Sequence, residues 1–505
     1  LTAYQIIRDS SMGKTFRRGG PAFDIHHERA AHAFYAPGDT IIGHVSRSSA
    51  LVSPTAIVKI TLCGRTKSKI VVSRGNNQRS YYRGRFDVIN EHAHLQTIYQ
   101  GPIHIATEAG AATGPAVWPF AIDIPRTCCR LLRPPPSNQS YLPLNPETVT
   151  ASPLPDTFTM DHPGWGTNRE GFVEYFLKAT ISFTQGGHHR TDDAFLPINI
   201  RTGDPNPPIA DFKLRRSRHV ASASTFHLLP GMEDAELSFS QKRQEFMGSS
   251  KVPRIGGQLE VDIPQVLQLE NRTPVHIQMR FVPDPKMTSS GMRGIPAKIA
   301  LRSMSATITS YTTVLCDGSF SPHHASDDTE TNLHLWPPAS SGGPPEPLYI
   351  PCTDEWPPID IGERVGFRIP DYLCRRIPGK PIRDLLSPDF VTYNIKHWHT
   401  VTFRVVLVAA GQEIKTSVNG KLKILPPTEA APSTQAGSSS VQQEEEAPPP
   451  AFQGRSESWI HPPAEADAPP TFAEVQKDDL IRKSFDGRGE GETSQGGQAS
   501  KAEGA

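Results

Sequence analysis

Phe34-Tyr35-Ala36-Pro37-Gly38-Asp39-Thr40-Ile41-Ile42-Gly43-His44-Val45 decides the fold. Pro37-Gly38-Asp39 carries the residues of a tight turn, because Pro presets φ and Gly tolerates φ above zero. The next six residues are rich in β-branched side chains and read as a strand. Outward from this point the same signal recurs. Ala22–Ile25, Ala56–Leu62, Val117–Ile124, Phe172–Ile181 and Phe195–Ile200 alternate or cluster as strands do. Strands at this spacing, with no long 3.6-residue period between them, predict a β-sandwich.

A Pro-rich hinge, Asp204-Pro205-Asn206-Pro207-Pro208, follows and reads as a domain boundary. A second strand-rich block then runs through Gln258–Pro264, Val275–Phe281, Ile299–Ile308, Thr400–Val408 and Gly420–Pro426. Within it, Pro337–Pro358 reads as a long Pro/Gly-rich loop. The expected organisation is an extension at 1–19, a first domain at 20–203, a linker at 204–215, a second domain at 216–426 and a tail at 427–505. The fold class expected is all-β: two tandem antiparallel sandwiches.

Length and composition agree with this. The chain has 505 residues, enough for two or three domains. Its 49 Pro are about twice the usual frequency of roughly 5%, which disfavours long helices. No apolar run approaches the ~18 residues of a membrane span, and Leu1–Asp9 carries no charged-then-apolar leader pattern. The six Cys (63, 128, 129, 316, 352 and 374) show no C-x-x-C spacing, so neither a zinc ribbon nor a dense disulfide framework is expected. A cytosolic location is the expectation, and the sequons at Asn138 and Asn271 would matter only in a secreted protein. Formal net charge is zero, but the segment after Thr428 is acidic, with Glu444-Glu445-Glu446 and Asp478-Asp479. Poor in aliphatic residues, that tail is expected to be disordered.

The opening stretch resembles the aromatic-x-Pro-Gly-Asp-x-Ile-x-Gly-x-Val run of the arrestin amino-terminal domain. Other pieces are similar to arrestins in order and spacing: Gly114–Pro125, Leu154-Pro155-Asp156-Thr157-Phe158, Thr392-Tyr393-Asn394-Ile395, and Ala409-Ala410-Gly411-Gln412. The resemblance covers roughly residues 20 to 426, and the Pro-rich, long-looped form resembles the fungal α-arrestin branch. It implies two immunoglobulin-like sandwiches and a non-catalytic cytoplasmic adaptor recruited to the plasma membrane or endosomes. The partners implied are cytosolic segments of membrane transporters or receptors and a WW-domain HECT ubiquitin ligase, whose action on the cargo drives endocytosis. No cofactor, metal or nucleic acid is implied.

The ligase expectation rests on the tail. Pro469-Pro470-Thr471-Phe472 and Pro449-Pro450-Ala451-Phe452 look like Pro-Pro-x-Tyr motifs with Phe in place of Tyr. WW domains grip such peptides because polyproline II is nearly preformed. Phe keeps the ring and loses the hydroxyl's hydrogen bond, a deficit of about 1 kcal/mol, which two copies on one tether offset. Glu346-Pro347-Leu348-Tyr349 has the Tyr and lacks the first Pro.

A basic stretch supplies the second candidate site: Lys59, Arg65, Lys67, Lys69 and Arg74, continuing through Arg79, Arg83 and Arg85, with Tyr81-Tyr82 between. It reads as a strand, a turn at Gly64 and a loop. Anionic membrane, an acidic or phosphorylated cargo tail, nucleic acid stacking on Tyr, and a solvated edge strand guarded by cations all fit it. On the membrane reading, reversing Lys67, Lys69 and Arg74 to Glu weakens association. The paired histidines (26/27, 92/94, 188/189, 323/324 and 397/399) have no zinc-type partners and read as structural. No nucleotide-binding or hydrolase motif marks a reaction centre. Two other readings stand beside the adaptor. One is an arrestin-fold sorting or signalling scaffold that binds no ligase, like retromer subunits or ambient-pH signalling arrestins. The other is a secreted carbohydrate-binding or adhesive sandwich.

Overall fold

The structure is a computed structural model describing residues 14–20, 22–29, 34–73, 78–106, 115–130, 144–163, 167–295, 297–316, 323–337, 346–374 and 385–429. Pro449, Pro450, Phe452, Pro469, Pro470 and Phe472 lie outside these residues, as do Arg74 and Asn138.

The chain is all-β, built as two sandwiches around two cores. The first contains β1 (Asp24–His27), β2 (Phe34–Tyr35), β3 (Thr40–Arg47), β4 (Leu51–Ser73), β5 (Arg79–Ile89), β6 (Leu95–Ile105) and β7 (Ala116–Asp123). After a short helix, α1 (Pro146–Ala151), come β8 (Phe158–Pro163), β9 (Thr167–Gln185) and β10 (His188–Ile200). One sheet is β1-β3-β7. The other is β2-β10-β9-β4-β5, with β6 also on β4 and β8 on β9. Alternate residues of β3 and β7, such as Ile41, Val45, Trp118 and Phe120, point into the core between them.

The second sandwich repeats the plan. Its strands begin with β11 (Arg215–Ser224), then a helix, α2 (Phe239–Phe246), then β12 (Arg254–Ile263), β13 (Val266–Gln268) and β14 (Gln278–Pro283). The long pair β15 (Ile299–Cys316) and β16 (His323–Trp336) follows, with β17 (Leu348–Ile350), β18 (Ile359–Asp360) and a one-turn helix, α3 (Ile361–Val365). β19 (Phe390–Val391), β20 (Ile395–Ala409) and β21 (Gln412–Leu425) complete it. The sheets are β11-β12-β14-β18 and β13-β21-β20-β15-β16.

Three expectations are corrected. Pairing is not wholly antiparallel: β2 joins β10, and β13 joins β21, in parallel. Each is a short strand that borrows the edge of one sheet before its chain continues elsewhere. Gly64 is not a turn. It lies within the 23-residue β4, where an added Cβ would meet Ile89 and Tyr175 at 2.7 and 2.8 Å. The residue is small for packing. Finally, the Pro337–Pro358 stretch holds a strand, β17, paired to β15.

The turn at Pro37-Gly38-Asp39 forms as its residues dictate. Gly38 has φ of +96° and donates to the Ile124 carbonyl at 2.9 Å. Asp39 closes the turn by accepting from the Ala36 N–H at 3.0 Å.

The two sandwiches interlock. Val314, Cys316, Tyr393 and Ile395 of the second belong to the first core. Asn394, fully buried, accepts from the Thr66 hydroxyl at 2.6 Å and donates to Ser68 Oγ at 2.9 Å. Tyr393 donates its hydroxyl proton to the Cys129 carbonyl at 2.7 Å. Arg201 reaches Glu270 at 2.7 Å, and Tyr82 stacks on His323 at 3.6 Å between ring centroids. Such closeness needs small residues: a Cβ on Gly84 would lie 2.6 Å from Ser68 Oγ and 2.9 Å from the Leu315 carbonyl oxygen.

Candidate functional site

β4 places Arg65, Lys67 and Lys69 on one face, because alternate residues of a strand share a side. Register extends this face across three strands. Lys69 stands between Arg83 and Glu170, Lys67 between Arg85 and Phe172, and Arg65 between Asp87 and Glu174. Aromatic rings are interleaved with the cations. Lys67 and Lys14 both sit 5.5 Å from the Phe172 centroid, and Arg65 sits 4.8 Å from Phe176. Each such contact is worth about 0.5–2 kcal/mol depending on burial.

Glu174 organises the face. It accepts from Arg65 Nε at 2.5 Å and from the Thr15 N–H at 2.7 Å, with Lys67 Nζ at 3.7 Å. Arg65 also donates to Thr15 Oγ1 at 2.8 Å, so residues 14–18 are strapped over the sheet. Lys69 is 4% exposed and pairs with Glu170 at 2.9 Å. Burial, and then the neighbouring Arg65, hold the Lys67 ammonium below its ordinary pKa, with Glu174 opposing them. Burial likewise lowers Lys14, against Asp161, Glu174 and Glu170.

The predicted basic residues therefore separate into groups. Arg65, Lys67 and Lys69 come together with acids that sequence reading had not linked to them. Lys59 lies six residues up the strand, about 20 Å away, opposite Thr97 and Thr180. Arg74 is outside the described residues. β4 is an interior strand, so the edge-strand reading does not hold for it; the edge belongs to β5. There Arg79, Tyr81, Arg83 and Arg85 alternate outward and are exposed, with Arg83 5.5 Å from the Tyr81 ring. The opposite side of β5 faces the second sandwich through Tyr82 and Gly84. Charge reversal at Lys69 would set a carboxylate against Glu170 in the protein interior, so its first effect is on stability.

Two more features adjoin the junction. A cavity of about 350 Å³ is lined by residues of both sandwiches, among them Asp156, Phe390, His397 and Trp398. Burial raises the Asp156 carboxyl to about 6, against the Thr202 N–H that donates to it at 2.6 Å. His397 lies among Phe158, Phe390 and His399 and is held neutral, well below the ordinary histidine pKa, by burial and then by His399. Its Nδ1 bonds to Thr312 Oγ1 at 2.8 Å.

Among the described residues, one group has metal-ligand geometry: His276, Asp360 and Glu363, with ligand atoms within 4.8 Å of one another. Asp360 is committed there already, capping α3 and bonding His276 Nδ1 at 2.6 Å. The Asn271 side-chain amide donates to the Ile209 carbonyl at 2.8 Å and to Gln268 Oε1 at 3.4 Å, so a glycan on this nitrogen would displace one of the two bonds. No helix among the described residues is long and apolar enough to cross a membrane. No family model matches the chain, and no curated protein matches it.

Proposed function

We propose that this protein is a non-catalytic adaptor of the α-arrestin type. In this reading an acidic or phosphorylated cytosolic segment of a membrane transporter or receptor docks along β5. The tail motifs around Phe452 and Phe472 engage the WW domains of a HECT ubiquitin ligase. The adaptor works by proximity, raising the local concentration of ligase at its cargo.

The observation that carries the reading is the outward row Arg79, Tyr81, Arg83 and Arg85 on an edge strand. An edge strand offers unpaired backbone groups to an extended peptide. Guanidinium groups at three of four alternate positions, with Tyr81 at the other, suit carboxylates or phosphates that alternate along such a peptide. The Arg65/Lys67/Lys69 row behind them, already matched to Glu170 and Glu174, keeps that side of the sheet cationic without lying open to lipid. The interlocked junction holds β5 at a fixed position relative to the second sandwich.

Binding of a fluorescent peptide alternating Glu and phosphoserine to the full chain tests this, read by anisotropy at two salt concentrations. Wild type is expected to bind with a strong salt dependence, and Arg79→Glu/Arg83→Glu/Arg85→Glu to lose at least about 100-fold. Binding unchanged in the triple variant removes β5 as the cargo site.

A further inference from the structure

At the β18 edge of the four-stranded sheet in the second sandwich, three side chains with metal-binding atoms meet. His276 leads into β14. Asp360 ends β18, which pairs with β14, and Glu363 lies in the first turn of α3, which follows directly. One ligand atom from each residue, an imidazole nitrogen and two carboxylate oxygens, lies within 4.8 Å of the others. The sequence hides this set, because 84 positions separate His276 from Asp360.

The mount is rigid. The Ile361 N–H donates to the Ile277 carbonyl at 2.8 Å, and the Val275 N–H to the Phe367 carbonyl at 2.8 Å, so α3 is laced to the strand that carries His276. Gly362 lets the two backbones touch, since a Cβ there would run into the Val275 carbonyl. The buried Phe212 ring meets the His276 ring edge-on, 5.7 Å between centroids, and limits its rotation. Asp360 divides its two oxygens. Oδ1 accepts from the Glu363 and Ile277 N–H groups at 3.0 and 3.3 Å, which is the capping role. Oδ2 is bonded to His276 Nδ1 at 2.6 Å. Among the described residues, neither Asp360 nor Glu363 is paired with a Lys or Arg. The Asp360 side chain is 15% exposed, whereas Glu363 is open to solvent.

We propose that His276, Asp360 and Glu363 bind a divalent transition-metal ion of the zinc class, with water as the fourth ligand. One imidazole nitrogen with two carboxylate oxygens is a zinc-type donor set, whereas Ca²⁺ calls for about six to eight oxygens. Bonds of about 2.0–2.2 Å in a tetrahedron set ligand atoms roughly 3.3 Å apart. The His276–Asp360 pair therefore opens by under about 1 Å, and the exposed Glu363 closes on the ion from the solvent side. The ion takes Asp360 Oδ2 while Oδ1 goes on capping α3. Bound there, it staples β18 and α3 to β14. The inference is independent of the docking of cargo on β5.

Calorimetric titration of Zn²⁺ into the metal-free full chain tests it. Wild type is expected to take up one equivalent ahead of any weaker binding by its other histidines, and to gain several degrees in Tm at saturation. Glu363→Gln, which alters an exposed side chain, and Asp360→Asn, whose amide oxygen still caps α3, should each weaken that equivalent at least about 10-fold. His276→Gln should abolish both the tight equivalent and the Tm gain. His92→Gln/His94→Gln, removing a His-x-His pair in the turn before β6, should bind like wild type. Ca²⁺ at the same concentration should leave Tm unchanged. The proposal is overturned by a wild type with no tight equivalent, or by an equivalent that survives in Glu363→Gln and His276→Gln alike. Calcium that competes with zinc for the site also overturns it.

Discussion

Glu174 shows how a single residue makes a basic face compatible with a folded sheet. Arg65 and Lys67 from β4 and Lys14 from the strap converge on Phe172 and Phe176, and the acids that balance this face come from β9, over a hundred positions later than Arg65 in the chain. Removing that charge leaves Arg65 and Lys67 desolvated together. Glu174→Gln is therefore expected to destabilise the protein by about 1–3 kcal/mol, read from urea midpoints at constant m. Asp156 gives a prediction with a pH signature. Its folded pKa of about 6 exceeds the ordinary carboxylate value of 3.8, so the folded state holds the proton more tightly. The stability this contributes is fully present below about pH 4 and is lost as pH rises through 6. Asp156→Asn should consequently gain on wild type between pH 4 and pH 7, by at most about 3 kcal/mol. Parallel Tm curves for the two proteins across that range would refute the assignment.

Elements divide according to how local their signals are. Strands with alternating or continuous apolar runs, such as β3, β7, β9 and β20, were legible, and so was the turn at Gly38. β5 was not, because Arg79-Ser80-Tyr81-Tyr82-Arg83-Gly84-Arg85 has no apolar alternation. Its buried side rests on Tyr82 and on the missing side chain of Gly84, which admits the second sandwich. Gly64 looked like a turn for the same reason: sequence shows that a residue is small, while only packing shows why. The acids opposite Arg65 and Lys69 were hidden by register, since the strands that meet are distant in the chain. α2 was passed over because two Phe among eight residues, with no buried stripe, give no helical period. At this scale the test is Gly84→Val. A side chain there must displace Ser68 and the Leu315 carbonyl, and a loss of about 1–3 kcal/mol is expected.

Across the whole molecule, the interlock at Tyr393 and Asn394 makes the two sandwiches one mechanical unit. Buried hydrogen bonds and shared core residues join them. Calorimetry of the full chain should give one cooperative transition for both sandwiches. Asn394→Ala, which takes one hydrogen-bond partner each from the Thr66 and Ser68 hydroxyls, should split it into two or lower it by several degrees. Rigidity of this kind suits the proposed adaptor role, because it holds β5 at a fixed place relative to the second sandwich. The proposed ligase contact lies among the 76 residues that follow Glu429, with Phe452 and Phe472 at 23 and 43 positions along the sequence. The proposed adaptor role requires that cargo and ligase are held at once. The direct measurement is capture of a soluble WW domain from a HECT ligase by the full chain, itself bound to an immobilised Glu/phosphoserine peptide. The account predicts retention by wild type, loss with Phe452→Ala/Phe472→Ala, and tighter retention, by about 10-fold, with both Phe→Tyr. A WW domain that wild type fails to retain, or that the double-Ala protein retains equally well, would contradict it.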